Sequence, residues 1–158
     1  MSPDLPASLE SLAFLLGTWK GEGRGEYPTI DAFGYGEEIE FSHTGKAFLA
    51  YRQRTWALED GRPLHAETGY WRPTPRGGVE VVLAHPTGIV EIEIGAVIGR
   101  RVELISHTVA SSPTAKEVTR LERRFHVVGD VMTYELRMAA VEHTVVRHLE
   151  AELRRVPT

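Results

Sequence analysis

The chain has 158 residues, of which 42% are hydrophobic and 25% charged, and this composition excludes a disordered or fibrous protein. Its length suits one globular domain over residues 1–158. The formal net charge of -4 provides no basic surface of the kind that binds nucleic acid. Because cysteine is absent, disulfides and thiolate ligands are excluded, and a metal ion would need His, Asp or Glu ligands.

The N-terminal segment predicts one short amphipathic helix over residues 8–16, with a serine as candidate N-cap and Gly17 as the stop. Its apolar positions are Leu9, Leu12, Ala13 and Leu16. The apolar run is too short for a membrane span and has no basic flank or cleavage-type site of a signal peptide. We therefore expect a cytoplasmic protein that makes no use of a membrane.

After Gly17 the hydrophobic pattern changes to a period of two, which is typical of β-strands. Turn residues such as Asp60-Gly61 and Gly129-Asp130 separate the segments. Many strands joined by short turns form either a sandwich or a barrel, and closure without free edges favours an all-β antiparallel barrel that holds a ligand. The predicted strands lie within residues 17–29, 37–43, 46–58, 66–73, 78–88, 90–99, 101–110, 116–128 and 131–141, and residues 147–155 are predicted as the last strand against their helix propensity.

The opening strand, "GTWKGEGRGEYPT", has alternate glycines around one tryptophan. The residues of this motif are Gly17, Trp19, Gly21, Gly23 and Gly25. Alternate glycines leave one strand face bare, so that a bulky group or another backbone can approach closely. A flat cofactor edge is one candidate for that space. The favoured interpretation is structural: the glycines let the strand bend while the tryptophan plugs the base of the barrel.

Histidines and paired carboxylates are the remaining candidates for chemistry. The seven histidines include no HExxH pair, which argues against a zinc protease. Glu91 with Glu93, and Glu150 with Glu152, have the spacing of an acid-base pair on one strand face, but a solvated face is the more common reason for such spacing. The residues alone therefore predict a ligand-holding barrel without a defined ligand.

The order of several segments carries a family resemblance. "LAFLLGTWKGEGRGEYPTI", "PLHAETGYWRP", "VLAHPTGIVEIEIG", "TAKEVTRLERRF" and "MAAVEHTVVRHLEAELRR" follow one another as they do in the nitrobindins. The chain resembles these heme-binding barrels from Leu12 to Arg155, and the Gly-x-Trp-x-Gly-x-Gly-x-Gly motif is complete. The resemblance implies about ten antiparallel strands in an up-and-down barrel, shaped like lipocalins and fatty-acid-binding proteins, behind a short N-terminal helix.

The resemblance also implies one heme b per chain and assigns residues to it. The iron would be held by a single axial ligand, His148 in "RHLEAEL". Thr29, after Tyr-Pro, would contact the heme. His65 of "PLH" and Met138 of the "MAA" stretch would line the distal side, next to Leu64, where the family varies among apolar residues.

The activity that the resemblance implies is isomerisation of peroxynitrite to nitrate at ferric heme, together with reversible binding of nitric oxide. The expected partners are therefore these small molecules, with no nucleic acid and no membrane, in a monomer or homodimer. Two alternatives stay open: a lipocalin-like carrier of a fatty acid or another apolar molecule without iron, and a structural domain that assembles through an apolar C-terminal face.

One geometric question arises at the proposed ligand. Strict alternation places His148 on the face of Glu150 and Glu152, opposite an apolar set. That set is Leu149, Ala151 and Leu153. Either a bulge reverses the facing after the histidine, or the glutamates lie beyond the heme near solvent, or a helix or partner subunit covers the apolar face.

Overall fold

The computed structural model describes residues 3–27, 30–140 and 147–158. Within these residues a 3₁₀ helix over Ala7–Leu15 precedes ten strands, and a 3₁₀ turn occupies Pro75–Gly77. The strands are β1 (Gly17–Tyr27), β2 (Ile30–Ser42), β3 (Leu49–Ala57), β4 (Pro63–Thr74), β5 (Gly78–Ala84), β6 (Ile89–Ile98), β7 (Arg101–Ser111), β8 (Val118–Val128), β9 (Val131–Ala140) and β10 (Arg147–Arg155).

The strands form a closed antiparallel barrel. Each strand pairs with its neighbours in sequence, and β10 returns to pair with β1, so that Gly21 lies opposite Leu153. Closure satisfies the backbone hydrogen bonds that edge strands would otherwise expose. The predicted all-β up-and-down barrel of about ten strands is confirmed. No helix among the described residues is long and apolar enough to cross a membrane.

The N-terminal 3₁₀ helix seals one end of the barrel. Its leucines at positions 9, 12 and 15 are fully buried. The indole Nε1 of Trp19 donates a hydrogen bond to the Leu15 carbonyl over 2.8 Å. The Arg155 guanidinium lies 4.2 Å from the centre of the Trp19 ring and donates hydrogen bonds to the carbonyls of Leu16 and Phe14. Trp19 therefore closes the base of the barrel, as the structural interpretation of the glycine motif predicts.

The N-terminal helix differs from the prediction in its bounds, its cap and its type. It is a 3₁₀ helix over Ala7–Leu15 instead of residues 8–16. Pro6 occupies the N-cap position in place of a serine, and no side chain caps the helix. Gly17 has a φ of +121°, which is unfavourable for residues with a Cβ, and this conformation starts the first strand directly after the helix.

The glycines of β1 lie where other parts of the chain come close. A Cβ on Gly21 would overlap the Glu152 carbonyl of β10, and a Cβ on Gly23 would overlap the Tyr35 ring of β2. The bare strand face is therefore filled by the backbone of β10 and by aromatic rings of the same chain. In the part of β1 that the structure describes, the glycines serve barrel closure.

Candidate functional site

The residues that the family resemblance assigns belong to one end of the barrel, which we call the far end because it lies opposite the N-terminal helix. β4 begins at Pro63, β9 ends at Ala140 and β10 begins at Arg147, all at this end. His65, Met138 and His148 are therefore brought to one end by three different strands. Thr29, between β1 and β2, lies outside the described residues.

His65 and Leu64 lie on opposite faces of β4. His65 faces the barrel interior with 28% of its side chain exposed, next to the buried Glu67 two residues further along. Leu64 is 44% exposed. Of this pair, only His65 therefore faces the interior in the present geometry.

Met138 completes an apolar stripe on the inner face of β9. Met132, Tyr134 and Leu136 are buried on the same face, and Met138 packs partly buried against this core. The period-two prediction for this strand is confirmed. At the far end, the apolar interior also includes the partly buried side chains of Ile89, Val109 and Leu149.

His148 lies on the outer face of β10. The pairing of β10 with β9 is continuous from Arg147 to Arg154, so the alternation of side chains is preserved. The apolar residues of β10 at positions 149, 151 and 153 face the barrel interior, where 151 and 153 are buried. The interior itself therefore covers the apolar face, and neither a bulge nor a partner subunit is needed to bury it.

The His148 ring is partly buried next to a carboxylate. Its Nε2 lies 3.2 Å from Oε1 of Glu135 on β9, in an orientation that makes no hydrogen bond. Burial opposes ionisation of Glu135, but the hydrogen bond from Arg137 and the nearby imidazole hold its pKa below the usual value. Nε2 of His148 therefore has a carboxylate oxygen nearby but no hydrogen bond, which leaves this nitrogen available for another partner.

The interpretation of Glu91 and Glu93 as a solvated face was wrong. Both side chains point into the barrel and are 1% and 0% exposed, whereas Ile92 and Ile94 lie on the outer face and are partly exposed. The same interpretation is confirmed for Glu150 and Glu152, which are exposed. Alternation defines two faces of a strand, but it does not say which face points inward. On β6 the polar face is the inner one, which is the reverse of the usual arrangement.

Arg123 on β8 is the counter-charge that makes the buried carboxylates possible. Its Nη1 and Nη2 donate to the two oxygens of Glu67 over 2.6 and 3.1 Å, and Nη2 also donates to Glu91 over 2.7 Å. Its Nε lies 2.7 Å from Glu93 Oε1. We call Arg123, Glu67, Glu91 and Glu93 the buried charge cluster, and every member is at least nine-tenths buried.

The pKa values within this cluster diverge. Burial opposes ionisation of Glu67 and Glu91, but the Arg123 guanidinium outweighs it, so the pKa of Glu67 is well below its usual range and that of Glu91 falls to about 2. Burial and the neighbouring Glu91 raise the pKa of Glu93 to about 9. One guanidinium therefore balances two ionised carboxylates only in part, and the third carboxyl keeps its proton at neutral pH.

Two histidines border the cluster on the far-end side. Nε2 of His65 lies 3.1 Å from Nδ1 of His85, which follows β5. His85 Nδ1 is 3.4 Å from Glu67 Oε2, and its Nε2 is 3.3 Å from Glu91 Oε2. Sequence reasoning missed this group. The signal was the spacing of His65 and Glu67, which share a strand face, and the β4–β5 register that places His85 opposite Glu67.

This arrangement defines a class of protein. The barrel is sealed by a helix at one end, and at the far end an apolar inner rim lies above a buried polar cluster with imidazole and guanidinium groups. Partly buried apolar surface beside a few convergent polar groups is typical of small-molecule and cofactor binding. The fold and the site together define a small ligand-binding β-barrel.

Comparison with known proteins identifies the family. Residues 8–155 match the model of the THAP4-like, heme-binding beta-barrel domain, and the chain belongs to this family. The chain is 54% identical to peroxynitrite isomerase 2 of Mycobacterium ulcerans (strain Agy99), over 98% of this chain and 99% of that protein. It is 50% identical to peroxynitrite isomerase 1 of Mycobacterium tuberculosis (strain ATCC 25618 / H37Rv), with the same coverage.

Solved structures agree with this assignment. The crystal structure of Rv2717c from M. tuberculosis superposes with a TM-score of 0.89 at 48% identity, covering 98% of this chain and 100% of that one. The structure of EF1p2_mFAP2b bound to DFHBI has a TM-score of 0.53 at 10% identity, and this likeness shows the barrel fold alone.

Proposed function

We propose that this chain binds heme b and converts peroxynitrite to nitrate. The observation that carries the proposal is the identity of 50–54% over nearly the whole chain with proteins named peroxynitrite isomerase, in a family defined by a heme-binding barrel. The reversible binding of nitric oxide that the nitrobindin resemblance implies belongs to the same proposal.

The described residues at the far end offer two features that a heme would use, on opposite faces of β10. Ile89, Val109, Met138 and Leu149 supply apolar surface that is only partly buried by the rest of the chain. In addition, Nε2 of His148 is buried without a hydrogen bond, and an imidazole nitrogen is the usual axial ligand of iron in a chain without cysteine.

We propose one heme per chain with His148 as its axial ligand. Because this histidine lies on the outer face of β10, the assignment is supported by the family motif and by its unpaired Nε2, and it needs a direct test. His65 and Met138 are proposed to line the distal side, with Leu64 at its margin. Thr29 is proposed as a further contact on the basis of the motif alone.

When bound, heme would supply an iron centre that acts as a Lewis acid toward a small anion. The residues of the chain have simpler tasks. The apolar rim around Met138 and Leu149 excludes water from the site. His65 lies at the rim with Nε2 3.1 Å from Nδ1 of His85, and this contact orients its ring beside the site.

The decisive experiment compares ferric heme-loaded protein with its His148→Ala variant. We expect a Soret band on hemin addition and a rate of peroxynitrite decay that rises in proportion to the heme-loaded protein in stopped-flow absorbance, with nitrate as the product. His148→Ala should lose or shift the Soret band and return the decay to the background rate. His107→Ala, at an exposed position of β7, is the matched control and should behave like the wild type.

An unchanged Soret band in His148→Ala would remove the ligand assignment but not the heme. Peroxynitrite decay at the background rate with fully loaded wild-type protein would remove the enzymatic proposal. Native mass spectrometry that finds a lipid in place of heme would instead favour the carrier alternative.

Glu135 should weaken heme binding at His148. Its carboxylate lies 3.2 Å from Nε2, so a charged oxygen competes with iron for that nitrogen, and a neutral amide competes less. We expect Glu135→Gln to increase hemin affinity about twofold to fivefold, as for a partly exposed ion pair. Hemin titration at neutral pH measures this, with the exposed Glu152→Gln on β10 as control. A loss of affinity in Glu135→Gln would instead mean that the carboxylate supports the ligand.

The remaining predictions concern small-molecule partners, cellular location and oligomeric state. Peroxynitrite and nitric oxide are the proposed small-molecule partners. A cytoplasmic location and a monomeric or homodimeric state stay predictions, which fractionation and light scattering would test.

A further inference from the structure

We propose that His65, Glu67 and His85 form a binding site for a divalent transition-metal ion that prefers nitrogen ligands, such as Zn²⁺ or Fe²⁺, distinct from the iron of heme. Two of the side chains come from β4 and the third from the residue that follows β5, and each offers one donor atom within 4.8 Å of the others. The site requires no heme, so its test is independent of the proposed function.

The geometry of the donor atoms supports the proposal. His65 Nε2, His85 Nδ1 and Glu67 Oε2 are separated by 3.1, 3.4 and 3.8 Å. Three atoms at these separations lie on a circle of radius about 2.0 Å, which is the radius expected for three ligands of a tetrahedral ion with bonds of about 2.1 Å. The side chains therefore need no rearrangement to place all three atoms within bonding distance of one ion.

The identity of the donors selects the class of metal. Two imidazoles and one carboxylate are a common ligand set for zinc and for non-heme iron, and such sites leave at least one coordination position for water or a small molecule. Mg²⁺ and Ca²⁺ prefer oxygen ligands and larger coordination numbers. The set of His65, Glu67 and His85 is therefore suited to a transition metal.

The surroundings hold the ligands in place. His85 uses Nδ1 toward the site, and its other nitrogen lies 3.3 Å from Glu91 Oε2 without a hydrogen bond. A small rotation of the ring would make the carboxylate contact that orients metal-binding histidines. Tyr51 donates to Glu67 Oε1 over 2.7 Å, and Arg123 contacts the same oxygen over 2.6 Å. Glu67 Oε1 thus has two donors, whereas Oε2, the oxygen that faces the histidines, accepts one hydrogen bond from Arg123 Nη2 over 3.1 Å.

The charge of Arg123 is the main objection, because a guanidinium lies within hydrogen-bond distance of the proposed ligand Glu67. Glu91 and Glu93 also face Arg123, so three carboxyl groups surround one cation. The cluster holds two ionised carboxylates and one guanidinium, so it carries a surplus negative charge. This surplus offsets part of the additional positive charge of a divalent ion.

The site also has a route for the ion. Glu67 and His85 are almost entirely buried, but His65 is 28% exposed and lies near the start of β4. An ion can therefore enter past His65 without opening the barrel. The 3.1 Å approach of the two imidazoles is the interaction that the metal would replace.

The test measures metal binding by the tag-free, heme-free full chain after treatment with a chelator. We expect one Zn²⁺ per chain by equilibrium dialysis and elemental analysis, no competition from Mg²⁺, and visible absorption of a low-coordinate ion when Co²⁺ is the probe. His65→Gln and His85→Gln should each weaken Zn²⁺ binding at least about a hundredfold, because each removes one of three ligands. Glu91→Gln should weaken it about tenfold through His85.

His107→Gln is the control for adventitious binding at exposed histidines and should bind Zn²⁺ like the wild type. Tryptophan fluorescence checks that each variant is folded. Where a variant is unfolded, broadening of the His65 and His85 imidazole resonances by Co²⁺ in the wild-type protein supports the site. Failure of the wild-type chain to bind Zn²⁺, or equal binding by the folded His65→Gln and His85→Gln variants, would overturn the proposal.

Discussion

Replacing Arg123 with Met should lower the free energy of unfolding by about 3–5 kcal/mol at neutral pH. The guanidinium is 2% exposed and lies within 2.7 Å of oxygens of Glu67, Glu91 and Glu93. Methionine preserves much of the apolar stem but leaves the ionised carboxylates buried without a counter-charge. Urea unfolding followed by tryptophan fluorescence measures the loss.

The adjacent Arg124 provides a matched control, because it is exposed on the outer face of the same strand. Arg124→Met should change the stability by less than about 0.5 kcal/mol. Combining Arg123→Met with Glu67→Gln and Glu91→Gln should recover much of the lost stability, since the uncompensated charges are then removed. If the combined variant is less stable than Arg123→Met alone, packing and not charge is the cause of the loss.

The loss should also depend on pH. In the wild type the pKa values of Glu67 and Glu91 lie below the ordinary value of 4.5, so their ionised forms add stability above that pH and lose it as the pH falls through the lowered values. Without Arg123 this contribution disappears. The difference between wild type and Arg123→Met should therefore be largest above about pH 5 and shrink in acid.

The fold was predictable from the sequence because most strands alternate in the ordinary sense. Met132, Tyr134 and Leu136 are apolar and buried, and the outer positions between them are polar. The glycine motif likewise indicated the first strand and its plug, Trp19. Local pattern and turn chemistry suffice wherever the inner face is apolar.

The buried charge cluster could not be predicted in the same way. On β6 the glutamates point inward and the isoleucines Ile92 and Ile94 point outward, so hydrophobicity assigns each face to the wrong side. The partner of Glu67 is Arg123, 56 positions later in the chain, and no local pattern connects them. Only the closed barrel brings the two residues together, because its interior is shared by strands that are distant in sequence.

The orientation of His148 was predictable only in part. Alternation correctly placed His148 and its apolar neighbours on opposite faces, and the structure shows that the apolar face is the interior one. The family motif predicts that the residue is a ligand but contains no information on which way it points. Alternation and the family motif together therefore place a proposed ligand on the outer face of β10 at the rim of the far end, where mutation can test it.

Glu37 on β2 is a further buried carboxyl group that should make the stability of the protein depend on pH. It lies on the inner face of β2, where Oε2 accepts a hydrogen bond from Gln53 over 2.8 Å and Oε1 has no hydrogen bond among the described residues. Burial raises its pKa from 4.5 to about 7, with a smaller contribution from the charge of Glu67. Folding therefore costs free energy whenever this carboxyl is ionised.

Glu37→Gln should stabilise the protein at pH 8 by about 3 kcal/mol, the free energy that corresponds to this rise in pKa. Between the ordinary pKa and about 7 the native state holds a proton that the unfolded state has lost, so wild-type stability must fall as the pH rises through this window. The amide cannot ionise, so the variant should match the wild type near pH 4.5 and gain steadily above it. Urea unfolding at intervals from pH 4.5 to 8 measures the difference in unfolding free energy between the two proteins. Glu93, whose pKa is raised to about 9, titrates in both proteins, so its contribution cancels from this difference. Glu38→Gln, on the outer face with its pKa lowered chiefly through Arg54, should show no such gain, and parallel stability curves for wild type and Glu37→Gln would contradict the assignment.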